Sequence, residues 1–287
     1  MNKRKNPHHP PRSMLFGIMG WPVGHSLSPY LHNAGFRAAG LNAHYAVFRV
    51  HPDNLGYAVL GARSLGIDGI NVTVPHKVAV MEFLDEIDKT AQRIGAVNTI
   101  CIDGEKMIGY NTDGIGFIQM LQKENVSLTG KRVAVIGAGG AARAVVAAAA
   151  EEKPKELRIF NRTLEKAEKL AVSLSSPDLI IEAHPLDDAS ALLPECQICI
   201  QSTSIGLDHS SPGPVPLDWV THDHVVVDLI YNPPTNFLKT AKEKGATAIG
   251  GYGMLVYQAA VTFRLWTGIE APVEEMWRAG EEAMKRC

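Results

Sequence analysis

Three short polar stretches of this chain hold residue types that could do chemistry together. "NVTVPHK" (71–77) is a β-branched run that stops on Pro75, His76 and Lys77. "GYNTDG" (109–114) ends an apolar run on Asn111, Thr112 and Asp113, and "GHSLSP" (24–29) sets Ser26 and Ser28 after another. A lysine and an aspartate brought together form an acid–base couple able to pass a proton to or from an oxygen. Serine, threonine and asparagine add neutral hydrogen bonds to a polar ligand, and Thr73 and Asn98 stand at similar positions. Each has an ordinary structural reading as well. Ser28 before Pro29 and Asp113 before "GIGFIQML" suit helix N-caps, Asn98 suits a turn, and Lys77 suits an exposed lysine in a first helical turn. Their shared position at the strand ends of one sheet points to a site, because open α/β sheets bind ligands beyond the carboxyl ends of their strands.

A second constellation lies further on. "VAVIGAGGAA" (133–142) gives Gly137, Gly139 and Ala142 in G-x-G-x-x-A spacing, after a strand and at the start of a helix. Small residues there allow a tight turn, close approach of a pyrophosphate and close helix–strand packing. The free N–H groups and dipole of the helix N-terminus then favour the anion. About 20 residues on, an NAD site carries an acid for the ribose hydroxyl. This chain has "FNRT" (160–163) instead, with Asn161 at that place and Arg162 beside it. A guanidinium suits a 2′-phosphate, so the cofactor expected is NADP, against the plainer reading of a surface arginine after a strand.

The elements that must position these groups read as α/β. Strands are expected at 14–21, 43–50 and 67–74, helices at 28–40 and 54–66, and a third helix over "KVAVMEFLDEI" (77–87). Residues 97–111 read as two strands around Asp103-Gly104. From about residue 125 a second α/β unit begins, with strands expected at 156–160, 197–202, 224–231 and 246–251. Two helices close the chain and could belong to either unit. With 287 residues and about 150 per domain, two domains are expected.

Composition excludes several classes. A net charge of −2 offers no field for nucleic acid or an anionic membrane, so neither is expected as a partner. The basic, proline-rich start (1–13) reads as a disordered leader, and the apolar stretch after it lacks a signal-peptide cleavage site. Four cysteines make no disulfide framework and suggest a reducing cytoplasm; "CQIC" (196–199) reads as small apolar side chains at a strand. The histidines show no metal-ligand spacing, so no metal is expected.

The motifs "SLSP", "NVTVPHK", "GAVNTI", "GYNTDG", "GAGGAAR", "NRT", "DLIYNPPT" and "GGYGMLVYQAA" follow one another as in shikimate dehydrogenases, which the chain resembles from about Gly17 to Ala260. "NVTVPHK" and "GYNTDG" are the distinctive ones. The resemblance implies reversible reduction of 3-dehydroshikimate to shikimate by NADPH. It implies Lys77 and Asp113 as the catalytic pair, read here as acid and base together without assigning the proton to either. Ser26 and Ser28 would hold the substrate carboxylate with Tyr231; Thr73, Asn98 and Gln258 would bind the ring hydroxyls, with Asn71 in support. The cofactor set it implies is Gly137, Ala138, Gly139, Gly140, Ala141, Asn161, Arg162, Thr163, Leu229 and Gly251. It also implies an α/β fold of two domains, a mostly parallel substrate-binding catalytic domain (14–115 plus 252–287) and a Rossmann NADP-binding domain (116–251), with the C-terminal helices returning to the first. Ser204 in "QSTSIGL" stands where relatives commonly carry proline, which leaves that loop's cofactor contacts open. The expected partner is the small-molecule substrate, and the expected assembly is a monomer or homodimer. Two other readings stand beside this one: a quinate/shikimate enzyme using NAD, which should carry the acid that "FNRT" lacks, and a non-catalytic sensor, which could dispense with Lys77 and Asp113.

Overall fold

The computed structural model describes residues 13–104, 106–207 and 211–286; the leader expected over 1–13 lies outside these except for Ser13. The first sheet contains β1 (Met14–Gly20), β2 (Ala43–Arg49), β3 (Gly69–Val72), β4 (Glu86–Ile87), β5 (Thr99–Asp103) and β6 (Lys106–Tyr110), in the order β2-β1-β3-β5-β6-β4. Only β5 runs against its neighbours. That reversal matters for the site. It brings the residue before β5, Asn98, to the same sheet edge as Thr73 after β3 and Asn111 after β6. Helices α1 (Ser28–Ala38), α2 (Leu55–Ser64) and α3 (Lys89–Ile94) connect these strands, and α4 (Asp113–Lys123) leads out of β6.

The second sheet is fully parallel. It comprises β7 (Arg132–Ile136), β8 (Glu156–Asn161), β9 (Ile181–Pro185), β10 (Ile198–Gln201), β11 (Val225–Asp228) and β12 (Thr247–Gly250), ordered β12-β11-β10-β7-β8-β9. Helices α5 (Gly140–Glu151), α6 (Leu164–Leu174), α7 (Ala189–Leu192) and α8 (Asn236–Glu243) link its strands. This is the doubly wound arrangement, with its switch point between β7 and β10. "RVAVI", "ICIQ" and "VVVD" are buried almost throughout, as continuous apolar strands between two helical layers must be.

Helices α9 (Tyr252–Thr267) and α10 (Val273–Met284) then return to the first unit: α9 lies along α4, and α10 along α1. One apolar cluster runs from Phe117, Met120 and Leu121 of α4 and Met254 of α9 into Val133, Val135 and Ile159 of the second sheet. The two units are therefore fastened on that side by a shared core.

One expectation needs correction. Residues 77–87 do not form an α-helix. They make a short 3-10 turn at Ala79–Phe83 and then the strand β4. The backbone of Asp85 donates to Met107 O at 3.1 Å while its carboxylate accepts from Met107 N at 2.7 Å, which draws the segment onto the sheet edge beside β6. The sequence reading also leaves unnamed the short edge strand β9 and the helices α3, α6 and α8.

Candidate active site

Lys77 and Asp113 meet. Lys77 Nζ stands 2.5 Å from Asp113 Oδ2, with the two side chains only 12% and 7% exposed. The other carboxylate oxygen, Oδ1, accepts from Asn98 Nδ2 at 2.8 Å. Both oxygens of Asp113 are thus held by donors from different elements. The N-cap reading of Asp113 does not hold: Thr112 occupies that position, and Asn111 Oδ1 accepts from Asp113 N at 3.1 Å. Ser28 is likewise the first residue of α1 rather than its cap, and its N–H donates to Ser26 Oγ at 3.3 Å. These side chains are free of helix-ending duty.

Asn98 is oriented from several sides. Its Oδ1 accepts from Thr112 N at 2.9 Å and Thr99 Oγ1 at 3.0 Å, so its amide nitrogen must face Asp113. Asn71 donates to Asn98 O at 3.2 Å and Thr99 Oγ1 at 3.1 Å, and its own oxygen accepts from Tyr45 OH at 2.7 Å. Burial holds the Tyr45 phenol well above its ordinary range, against the opposing hydrogen bond with the Ser28 side chain. It therefore stays a donor.

A cavity of about 450 Å³ gathers the expected substrate residues. Ser26, Ser28, Asn71, Thr73, Lys77, Asn98, Asp113, Tyr231 and Gln258 all line it. Gln258, from α9, donates to Leu255 O at 2.7 Å, leaving its oxygen toward Thr112 and Asn98. Burial raises the Tyr231 phenol above its ordinary range, opposed by a hydrogen bond with the Leu27 backbone, so it too remains a donor. Of the expected cofactor residues, Ala141, Leu229 and Gly251 line the same cavity, alongside Ser204. Trp21, His25, Leu207 and Met254 line it as well and were not read from the sequence.

The remaining cofactor residues lie outside that cavity, at the end of β7 and β8. Gly137 has φ +114°, open to glycine and strained for other residues. A Cβ at Gly139 would meet nothing within 4 Å, so open space stands over the turn, and α5 begins there without a side-chain cap. Ser202 Oγ donates to Ile136 O at 2.7 Å, closing the switch point beside it. At the end of β8, Asn161 Nδ2 donates to Thr163 O at 2.8 Å, and Arg162 and Thr163 are exposed. The turn, the uncapped helix and a guanidinium without a carboxylate at the strand end fit a phosphorylated dinucleotide.

Cys196 and Cys199 are buried, with their thiols raised by burial, Cys196 to about 11. That is the packing role expected of "CQIC". Among the described residues no group of three or more His, Cys, Asp or Glu could hold a metal, and no helix is long and apolar enough to cross a membrane.

The chain matches known families over most of its length. Residues 18–100 match the shikimate dehydrogenase substrate binding domain, 119–207 the shikimate / quinate 5-dehydrogenase family, and 251–279 the shikimate 5′-dehydrogenase C-terminal domain. It is 44% identical over 276 residues to a shikimate dehydrogenase (NADP(+)) of Geobacillus kaustophilus, covering 95% of this chain and 99% of the relative. A solved shikimate dehydrogenase in complex with NADP+ superposes with a TM-score of 0.87 at 44% identity, covering 95% of this chain and 96% of that one. A shikimate 5-dehydrogenase of Thermus thermophilus, in complex with NADP(H) and shikimate, gives 0.85 at 35% identity, covering 94% and 99%.

Proposed function

The chain belongs to the shikimate dehydrogenase family, and from that premise we propose that it reduces 3-dehydroshikimate reversibly to shikimate with NADPH, using Lys77 and Asp113 as its acid–base pair. The reaction is an oxidoreduction at a CH–OH group, a step of chorismate and aromatic amino acid biosynthesis. The observation that carries the reading is the 2.5 Å Lys77–Asp113 contact in a cavity shared with Ala141, Leu229 and Gly251 of the second unit.

When bound at the Gly137–Ala141 turn, with Arg162 at its 2′-phosphate, NADPH supplies the hydride. The chain's own residues do the rest. An ammonium has three N–H donors, and one of Lys77's is committed to Asp113. The others are available to the substrate oxygen on which negative charge develops, where Lys77 stabilises that charge and delivers a proton. In the reverse direction the pair takes the proton back. Ser26, Ser28 and Tyr231 hold the carboxylate with neutral donors, while Thr73, Asn98 and Gln258 address the ring hydroxyls and Asn71 supports Asn98. Residues 14–115 and 252–287 form the catalytic domain and 116–251 the NADP-binding domain, a division supported by the two sheets and the return of α9 and α10. The protein works in the cytoplasm as a monomer or homodimer.

Steady-state rates with each of NADP and NAD, against each of shikimate and quinate, test this assignment. The expected order puts the NADP–shikimate pair first. Faster turnover of quinate with NAD would contradict it, and no turnover of either substrate would favour the sensor.

A further inference from the structure

Gln258 is not the only residue of α9 to reach the strand ends. Thr262, one turn further along, is fully buried and does not line the cavity. Its hydroxyl lies 3.0 Å from Thr99 Oγ1 and 3.2 Å from Thr112 Oγ1. Thr99 and Thr112 are the two hydroxyls that address the Asn98 side chain. Thr112 N is a fixed donor to Asn98 Oδ1, so the orientation of the amide is settled, and the hydroxyl contacts then admit one continuous direction around the four side chains. Asn98 Nδ2 donates to Thr112 Oγ1 at 2.9 Å, Thr112 to Thr262, Thr262 to Thr99, and Thr99 back to Asn98 Oδ1 at 3.0 Å. The four side chains form a closed ring in which each hydroxyl both accepts and donates. The second N–H of Asn98 is left for Asp113 Oδ1.

We propose that Thr262 is a positioning residue for the acid–base pair: it closes the ring that aims Asn98 at Asp113, a role that rests on the assignment of Asp113 to catalysis. Without its hydroxyl, the Thr112 proton has two other acceptors in reach, Asn98 Oδ1 at 3.3 Å and Gln258 Oε1 at 3.4 Å. The first crowds an oxygen already accepting two donors. The second occupies the Gln258 oxygen beside the cavity. Either shift loosens the Asn98–Asp113 bond, and linked networks of this kind lose more than one bond's share.

The test compares Thr262→Val, which keeps the shape, with Thr262→Ser, which keeps the hydroxyl. In the valine variant kcat with shikimate and NADP is expected to fall about tenfold, the scale of one buried hydrogen bond expressed as a rate. The pH–rate profile should move with it and the NADP dissociation constant should not. The serine variant should restore both. Independently of turnover, the Asn98 side-chain amide protons in nitrogen-labelled protein should shift and exchange faster with water in the valine variant. Unchanged kcat and pH profile in Thr262→Val, or unmoved Asn98 amide signals, would overturn the proposal. A wild-type chain inactive on shikimate would instead overturn the assigned reaction, while the amide signals would still decide whether the ring exists.

Discussion

The Lys77 side chain lies across Gly140: a Cβ at position 140 would stand 3.0 Å from Lys77 Cβ and 3.1 Å from its Cδ. Gly140 opens α5, the helix whose N-terminus faces the proposed pyrophosphate. The missing Cβ therefore lets a loop of the first unit touch the start of α5 in the second. The proposed proton donor is braced by the element proposed to bind the hydride source.

Gly140→Ala separates helix stability from this bracing. Alanine favours a helix interior over glycine by about 0.5–1 kcal/mol; at the first position of α5, against the close Lys77 Cβ, the melting temperature should change little. Lys77 must give way by a few tenths of an ångström, and kcat should fall roughly threefold to tenfold, since misplacement of 1 Å costs about a hundredfold. Melting curves and turnover on one preparation check both.

Arg162 is the proposed reader of the 2′-phosphate. Arg162→Ala should raise KM for NADPH about tenfold to a hundredfold, the worth of a charge-assisted hydrogen bond, and leave KM for NADH nearly unchanged. Equal loss with both cofactors would move the phosphate contact elsewhere.

Asn98→Asp changes little in shape but sets a second carboxylate against Asp113 Oδ1, where Asn98 now donates at 2.8 Å. Two carboxylates at that distance must share a proton. Turnover at neutral pH should fall by about a hundredfold or more, and the pH–rate profile should gain an ionisation that wild type lacks.

His32 makes stability depend on pH. It is fully buried, stacked on Tyr45 at 4.5 Å, with neither ring nitrogen hydrogen-bonded. Burial lowers its pKa from 6.5 to about 3. Between those values the unfolded chain carries the extra proton, so stability is retained above about pH 6.5 and lost as pH falls toward 3. By about pH 5 the loss is on the order of 2 kcal/mol. Denaturant midpoints in His32→Phe, which keeps an aromatic ring against Tyr45, should depend on pH less steeply than in wild type.

Much of this was legible in the sequence, for physical reasons. Buried parallel strands such as "VAVI" and "VVVD" announce themselves because both faces must be apolar. "NVTVPHK" and "NTDG" stood out because polar groups clustered where strands stop. The helix expected over 77–87 misled because Val78, Met81 and Leu84 have helical spacing, while the pairing of Asp85 with Met107 is long-range. Tyr45 and Thr262 carried no signal. A tyrosine in a strand and a threonine in an apolar helix are ordinary until the fold sets them beside Asn71 and Thr99.

The central claim is that the Lys77–Asp113 pair makes this cavity a shikimate dehydrogenase site. The most direct measurement is reduction of NADP by shikimate, followed by nicotinamide absorbance, in wild type and Lys77→Ala. Wild type should turn over, and Lys77→Ala should lose about 10²–10⁴-fold in kcat with shikimate KM little changed. Near-normal turnover by Lys77→Ala, or none by wild type, would contradict the account.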